Sequence, residues 1–217
     1  MEDVPLQDLG SLAGPKQTAV VSVDVQRIFT GLPLYPPVDQ VLGNLGRFLN
    51  ESRAFGVPVV IVRIIVAPEV YSSVWQRQFP RHDATWLTQA TRNVEYEPGF
   101  EPREGDVVLT KHRYSAFIDT PLETILRTRS IRTVVVAGLT TDVCVGSTAR
   151  DAFQRDFHVI TLADCCAEMT RVRHEAALET LADNFGTVCT SPDLVALWRS
   201  RRPSAPPEAA SIRTRRS

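Results

Sequence analysis

Cys144 stands where a cysteine can act as a nucleophile: it follows the apolar run Val134-Val135-Val136-Ala137 and Gly138, and it opens the stretch Cys144-Val145-Gly146-Ser147-Thr148-Ala149-Arg150-Asp151-Ala152. That pattern reads as a strand turning into a helix. The first N–H groups of a helix have no partner within it, so they stabilise an anion beside them, whether a thiolate or a tetrahedral oxyanion. A free cysteine is otherwise a small buried hydrophobe, and its company decides between the two readings. Asp24 follows the apolar run Thr18-Ala19-Val20-Val21-Ser22-Val23, and Lys111 follows Asp106-Val107-Val108-Leu109-Thr110. In an open parallel sheet, residues at the carboxyl ends of strands converge on one crevice. Taken singly, Asp24 reads as a helix cap and Lys111 as a solvated surface charge; together with Cys144 they read as one site.

The elements that must position these residues alternate along the chain. Strands are expected at about 18–24, 57–63, 106–110, 132–138, 157–162 and 187–190, with helices at about 38–55, 120–129, 142–155, 170–185 and 191–199. Alternation of this kind predicts a three-layer α/β/α fold around a mostly parallel, six-stranded sheet with right-handed crossovers. Gly56 before Val57-Pro58-Val59-Val60 is a helix stop, and Asp119-Thr120-Pro121 a helix start. The stretch from about 64 to 105 breaks the pattern, with Pro68, Pro80, Pro98, Pro102, Trp75 and Trp86 and no clear period. Connections that long are often functional, so it reads either as a lid or subunit contact or as an ordered structural insertion.

The 217 residues suit one domain, taken as 1–199, and 43% hydrophobic content supports a sizeable core. A net charge of −1 supplies no general attraction to nucleic acid or anionic membrane. The one basic cluster, Arg199, Arg201, Arg202, Arg213, Arg215 and Arg216, lies among prolines and alanines, so residues 200–217 read as a solvated, disordered tail. The first residues, Met1 to Gly14, lack a basic n-region and an apolar h-region, and no window reaches the length of a membrane span; the expected location is the cytoplasm. Cysteines 144, 165, 166 and 189 lack zinc-ligand spacing and are expected as reduced thiols.

Three segments then carry a resemblance: Val23-Asp24-Val25-Gln26 with Phe29; Lys111-His112-Arg113-Tyr114-Ser115-Ala116-Phe117; and Gly138-Leu139-Thr140-Thr141-Asp142-Val143-Cys144-Val145, continuing through Thr148, Arg150, Asp151 and Ala152. In this order and at these strand ends, the chain resembles the isochorismatase-like cysteine hydrolases from about Thr18 to Thr190. The resemblance implies a catalytic triad of Asp24, Lys111 and Cys144. It also implies a non-proline cis peptide at Leu139-Thr140, an oxyanion hole made by the N–H groups of Thr140 and Cys144, and assembly as a homodimer or homotetramer.

The roles follow from the chemistry. A free thiol titrates near ~8.5 and is mostly unreactive at neutral pH without help. Asp24 would take the thiol proton and return it to the leaving amine. Lys111 would favour the thiolate by roughly 1 to 3 pKa units and hold Asp24 in place.

No cofactor is needed, and no metal site is expected. Metal-binding members carry an Asp-x-His ligand pair, whereas no histidine occurs here between Asp24 and His82. His82, His112, His158 and His174 are read as surface or core residues.

The Lys111 segment is most similar to the ureidoacrylate and carbamoyl amidohydrolase branch, so the expected substrate is a small linear amide, ureide or carbamoyl compound. Gln26, Phe29 and Arg113 are the candidate substrate contacts: Gln26 as a partner for a urea group, and Arg113 as a planar fork for a carboxylate or carbonyl, unless an acidic neighbour pairs with it. Vinyl ether cleavage of the isochorismatase type, and a noncatalytic partner-binding role on the same fold, are the alternatives.

Overall fold

Each expected apolar run becomes a strand in the computed structural model, which describes residues 12–80 and 85–201. The strands are β1 (Thr18–Val23), β2 (Val59–Ile64), β3 (Val107–Lys111), β4 (Thr133–Leu139), β5 (His158–Ala167) and β6 (Thr187–Cys189). They form one all-parallel sheet in the order β3-β2-β1-β4-β5-β6. Every residue of β1 and of β4 is buried. That is why these runs carry no apolar-polar alternation: both faces of a parallel sheet are covered.

The covering helices are α2 (Val38–Ala54), α4 (Leu122–Thr128), α5 (Gly146–Phe153), α6 (Arg171–Asn184) and α7 (Ser191–Ser200), with a short α1 at Arg27–Thr30. The path from β1 through α2 to β2 moves one way along the sheet, and the path from β4 through α5 to β5 moves the other. Right-handed crossovers therefore put α2 and α5 on opposite faces; α7 packs with α2, and α6 with α5. The reversal places the switch point between β1 and β4, where open α/β sheets bind ligands. No helix among the described residues is long and apolar enough to cross a membrane. Most of the tail expected beyond residue 200, from 202 onward, lies outside the described residues, as does His82.

Two elements depart from expectation. Strand β5, expected to end near 162, runs on to Ala167 because its pairing with β4 slips: Val136 faces Thr161, but Gly138 faces Cys166. The polar Asp164 that masked this extension is used locally, accepting hydrogen bonds from Ser191 N (2.7 Å) and Ser191 Oγ (2.6 Å) at the start of α7. The expected helix at about 142–155 starts instead as a wide π turn, Thr141–Val145, before α5 begins at Gly146. Such turns gather at functional sites, and this one contains Cys144.

The irregular stretch after β2 is ordered by aromatic packing. It holds α3 (Ser73–Gln78), whose first turn is capped by Ser72 Oγ accepting from Trp75 N. Trp75, Leu87 and Val94 form a second buried cluster with Ile64, Ile65 and Val66. The Trp75 ring lies 5.2 Å from that of Tyr114 and 5.6 Å from that of Phe79. The insertion is thus seated on the carboxyl ends of β2 and β3.

Candidate functional site

β1 leaves the sheet at Asp24, which adopts a left-handed φ of 52°, a conformation that aspartate tolerates better than most residues. Its N–H is still held by Val62 O at 2.9 Å, so the carboxylate is fixed at the sheet edge. Lys111 ends β3, two strands away, and strands lie about 4.8 Å apart. Only a long side chain crosses the end of β2 from there. Lys111 Nζ reaches Asp24 Oδ2 at 2.7 Å, Cys144 Sγ at 3.5 Å and Arg113 O at 3.0 Å. Cys144 arrives from the other side, beyond β4. That approach requires Gly138: its φ is +125°, and a Cβ there would meet Val23 O at 2.1 Å. β1 and β4 close together beneath Cys144 only because this position has no side chain.

Asp24 and Lys111 are fully buried, and Cys144 is 3% exposed. Taking an ion pair out of water costs several kcal/mol per ion before the mutual attraction is counted, so a large apolar core must hold this site closed. Burial pushes the Asp24 carboxyl above its usual range; the Lys111 ammonium opposes this, with smaller help from the Cys144 thiol and the Ile64 backbone. Burial pulls Lys111 down, but Asp24 and Cys144 outweigh it, and the group remains a cation. Burial likewise pushes the Cys144 thiol well up, against the pull of Lys111 and with Asp24 adding to the rise. Lys111 thus pulls toward the thiolate as expected, and burial opposes it. Burial favours the neutral thiol, and the Asp24 carboxylate shares the Lys111 ammonium with it.

The structure brings Asp24, Lys111 and Cys144 together and sets Thr140 beside them, at the cis Leu139-Thr140 peptide. Thr140 O accepts from Val145 N at 3.1 Å, locking the peptide that follows it. Phe29 is half-buried and packs against two buried clusters, one that contains Leu139 and one that contains Ile64, Ile65 and Val66. Arg113 donates from Nη1 to His112 O (2.7 Å) and Val70 O (3.3 Å) and has no acidic partner among the described residues. It ties the insertion to the Lys111 segment.

Gln26 does not serve as expected. Its Nε2 donates to Ile64 O (3.1 Å) and Val94 O (3.0 Å), while its Oε1 accepts from Ile64 N (2.8 Å). Both amide hydrogens are spent joining β2 to the insertion, and the side chain is fully buried. A urea group cannot take its donors. The partner that takes one of these hydrogens, Val94, is 68 residues away in sequence.

Other groups at the site were not singled out by type. Burial raises the Tyr114 hydroxyl above its usual value, with Cys144 adding to the rise and Lys111 opposing it, so that ring lies in the electrostatic field of Cys144 and Lys111. Thr148 Oγ1 donates to Cys144 O (2.7 Å) and accepts from Ala116 N (3.1 Å), joining α5 to the loop after β3. Both lie inside the matched segments, and that was their one available signal. No group of three or more His, Cys, Asp or Glu among the described residues could hold a metal ion.

The isochorismatase domain model matches residues 18–193. A ureidoacrylate amidohydrolase RutB from Methylobacterium radiotolerans is 30% identical over 197 residues, 80% of this chain and 76% of that protein. A cysteine hydrolase from Pseudomonas syringae pv. phaseolicola has a structure similar at a TM-score of 0.78, with 28% identity over 86% of this chain and 94% of the other. An N-carbamoylsarcosine amidase from Thermoplasma acidophilum gives 0.67 at 29% identity, covering 81% and 96%. The matched span runs from the first residue of β1 to the start of α7 and includes all three converging strand ends; the chain is a hydrolase and belongs to the isochorismatase family.

Proposed function

We propose that the protein is a cysteine amidohydrolase that cleaves a C–N bond of a small linear amide, ureide or carbamoyl compound through a covalent intermediate on Cys144. The observation that carries this reading is the thiol, ammonium and carboxylate converging at the switch point, with 2.7 Å between Lys111 Nζ and Asp24 Oδ2 and 3.5 Å to Cys144 Sγ. The names of the similar amidohydrolases support the bond type.

Asp24 accepts the thiol proton as sulfur attacks the carbonyl carbon, and Lys111 neutralises the carboxylate and the developing thiolate in turn. The oxyanion rests on the N–H groups of Thr140 and Cys144; one such donor is typically worth about 3 to 4 kcal/mol in the transition state. Asp24 then protonates the leaving ammonia or amine as the tetrahedral intermediate collapses to a thioester or thiocarbamate. Water, deprotonated by Asp24, attacks that intermediate and releases the thiol. Phe29, Tyr114 and Arg113 are the groups this reading assigns to the substrate.

Ammonia release from biuret, ureidoacrylate-type ureides, N-carbamoyl amino acids, simple amides and nicotinamide tests the proposal, with Cys144→Ala alongside. Turnover of at least one ureide or carbamoyl compound is expected, lost in the variant. Undiminished turnover by Cys144→Ala overturns the mechanism. Silence across the panel, with cleavage of a vinyl ether substrate, overturns the bond assignment.

A further inference from the structure

Glu168 is a buried carboxylate, 1% exposed, that takes no part in the steps above. It follows β5 directly, and the pairing of Leu139 with Ala167 sets it beside Thr140. Its main chain is clamped from the opposite side by a two-way bridge to Tyr35: Tyr35 N donates to Glu168 O at 2.7 Å, and Glu168 N to Tyr35 O at 2.8 Å. From that fixed base, Oε2 accepts from Asp142 N at 3.1 Å, and Oε1 accepts from Met169 N at 2.9 Å. Arg173 stands over both acids, 3.8 Å from Glu168 Oε1 and 3.7 Å from Asp142 Oδ2.

The Asp142 N–H is one of the orphan donors at the start of the turn that carries the nucleophile. Its capture orients the peptide between Thr141 and Asp142. The preceding peptide is oriented by Val145 N donating to Thr140 O. The Thr141 hydroxyl is meanwhile 2.8 Å from His174 Nδ1. Residue 141 is therefore pinned by its two flanking peptides and by its side chain. It lies between Thr140 and Cys144, whose N–H groups form the oxyanion hole in the reading above.

We propose that Glu168 is a positioning residue for the oxyanion hole: its carboxylate fixes the Asp142 N–H and thereby aims the turn from Thr140 to Cys144. The inference rests on the hydrolase reading of that turn but not on any particular substrate. Glu168 acts on the step in which an oxyanion forms, and it has no part in a reaction of the thiol that forms none.

Two small electrophiles separate those cases. p-Nitrophenyl acetate acylates a thiol through a tetrahedral oxyanion, with the sulfur–carbon bond formed and p-nitrophenolate expelled. Iodoacetamide alkylates it by direct displacement of iodide. Both rates are measured on the full chain for the wild type, Glu168→Ala and Glu168→Gln, with Cys144→Ala as the background and a thermal melt as the check on folding. In Glu168→Ala, acylation is expected to fall roughly 10- to 100-fold, because a misplaced hole loses most of its donors' effect. Alkylation is expected to change by less than about 3-fold. Glu168→Gln keeps an oxygen for the Asp142 N–H and is expected to recover most of the acylation rate.

An unchanged acylation rate in Glu168→Ala overturns the proposal. Equal losses in both reactions overturn it too, because they mean general damage to the site. The substrate reading fails separately, when a wild type that the ester acylates turns over no amide or ureide.

Discussion

Two buried carboxylates sit just beyond the carboxyl ends of strands, Asp24 after β1 and Glu168 after β5, and they are held in opposite ways. Asp24 is answered by an ammonium 2.7 Å away on a flexible stem, with both side chains fully buried. Glu168 is answered by two backbone N–H groups, and its charged neighbour Arg173 is 48% exposed at 3.8 Å. The groups that replace water around a buried charge decide what the charge can do. An ammonium can shift its attention among carboxylate, thiol and water as a proton moves, whereas backbone donors are rigid and fix whatever accepts from them. In the readings proposed above, one carboxylate exchanges a proton and the other holds a turn still.

Removing the cation from the first pair should have the largest effect. Lys111→Met leaves the buried Asp24 carboxyl without its cation, and breaking comparable buried pairs costs about 3–5 kcal/mol. We expect a melting temperature well below that of the wild type and no detectable turnover. Asp24→Asn combined with Lys111→Met removes both charges, and it should recover most of the lost stability while remaining inactive. A single variant as stable as the wild type would mean that the pair is not desolvated as described.

The pH dependence of Cys144 alkylation sharpens the same contrast. Because burial raises the thiol above its ordinary value, the thiolate fraction below that value grows about tenfold per pH unit. The alkylation rate should climb from about pH 6 to about pH 9 without a plateau. A plateau near neutrality would show that Lys111 does create a standing thiolate. Turnover should behave differently: it should rise as Asp24 ionises, above the usual carboxylate range because that group is raised, and fall only as Lys111 loses its proton above its ordinary 10.5.

The smallest effect belongs to the exposed partner of the second pair. Arg173→Ala removes a cation that water largely replaces, and solvent-exposed ion pairs are worth about 0–1 kcal/mol. Turnover should stay within about 3-fold of the wild type, and stability should hardly move. A loss as large as that of Lys111→Met would erase the distinction between the two carboxylates.

The convergence of Asp24, Lys111 and Cys144 was legible because each lies at or just beyond the end of an apolar run, and such runs have one reading in a parallel sheet. The same logic found every strand, since Val20, Val134 and their neighbours are buried on both faces. It failed where burial is achieved by contacts distant in sequence. The end of β5 was hidden by Asp164, whose polarity is explained only by Ser191. Gln26 looked like a substrate ligand because Val94, which takes one of its hydrogens, is 68 residues away. The aromatic insertion shows no long period because its one α-helix is short: Trp75 and Phe79 meet four residues apart, and Tyr114 joins Trp75 from beyond β3.

By itself the sequence determined the order of strands and helices, and with it which residues stand at strand ends. Hydrophobic periodicity is a local property, and right-handed crossovers turn that order into one sheet. Only the tertiary structure decided how those residues are charged and aimed. The solvation of Asp24, Lys111, Cys144 and Glu168 is the sum of contacts from β1, β3, β4, β5 and the turn at Thr141–Val145, and no stretch of sequence contains more than one part of it.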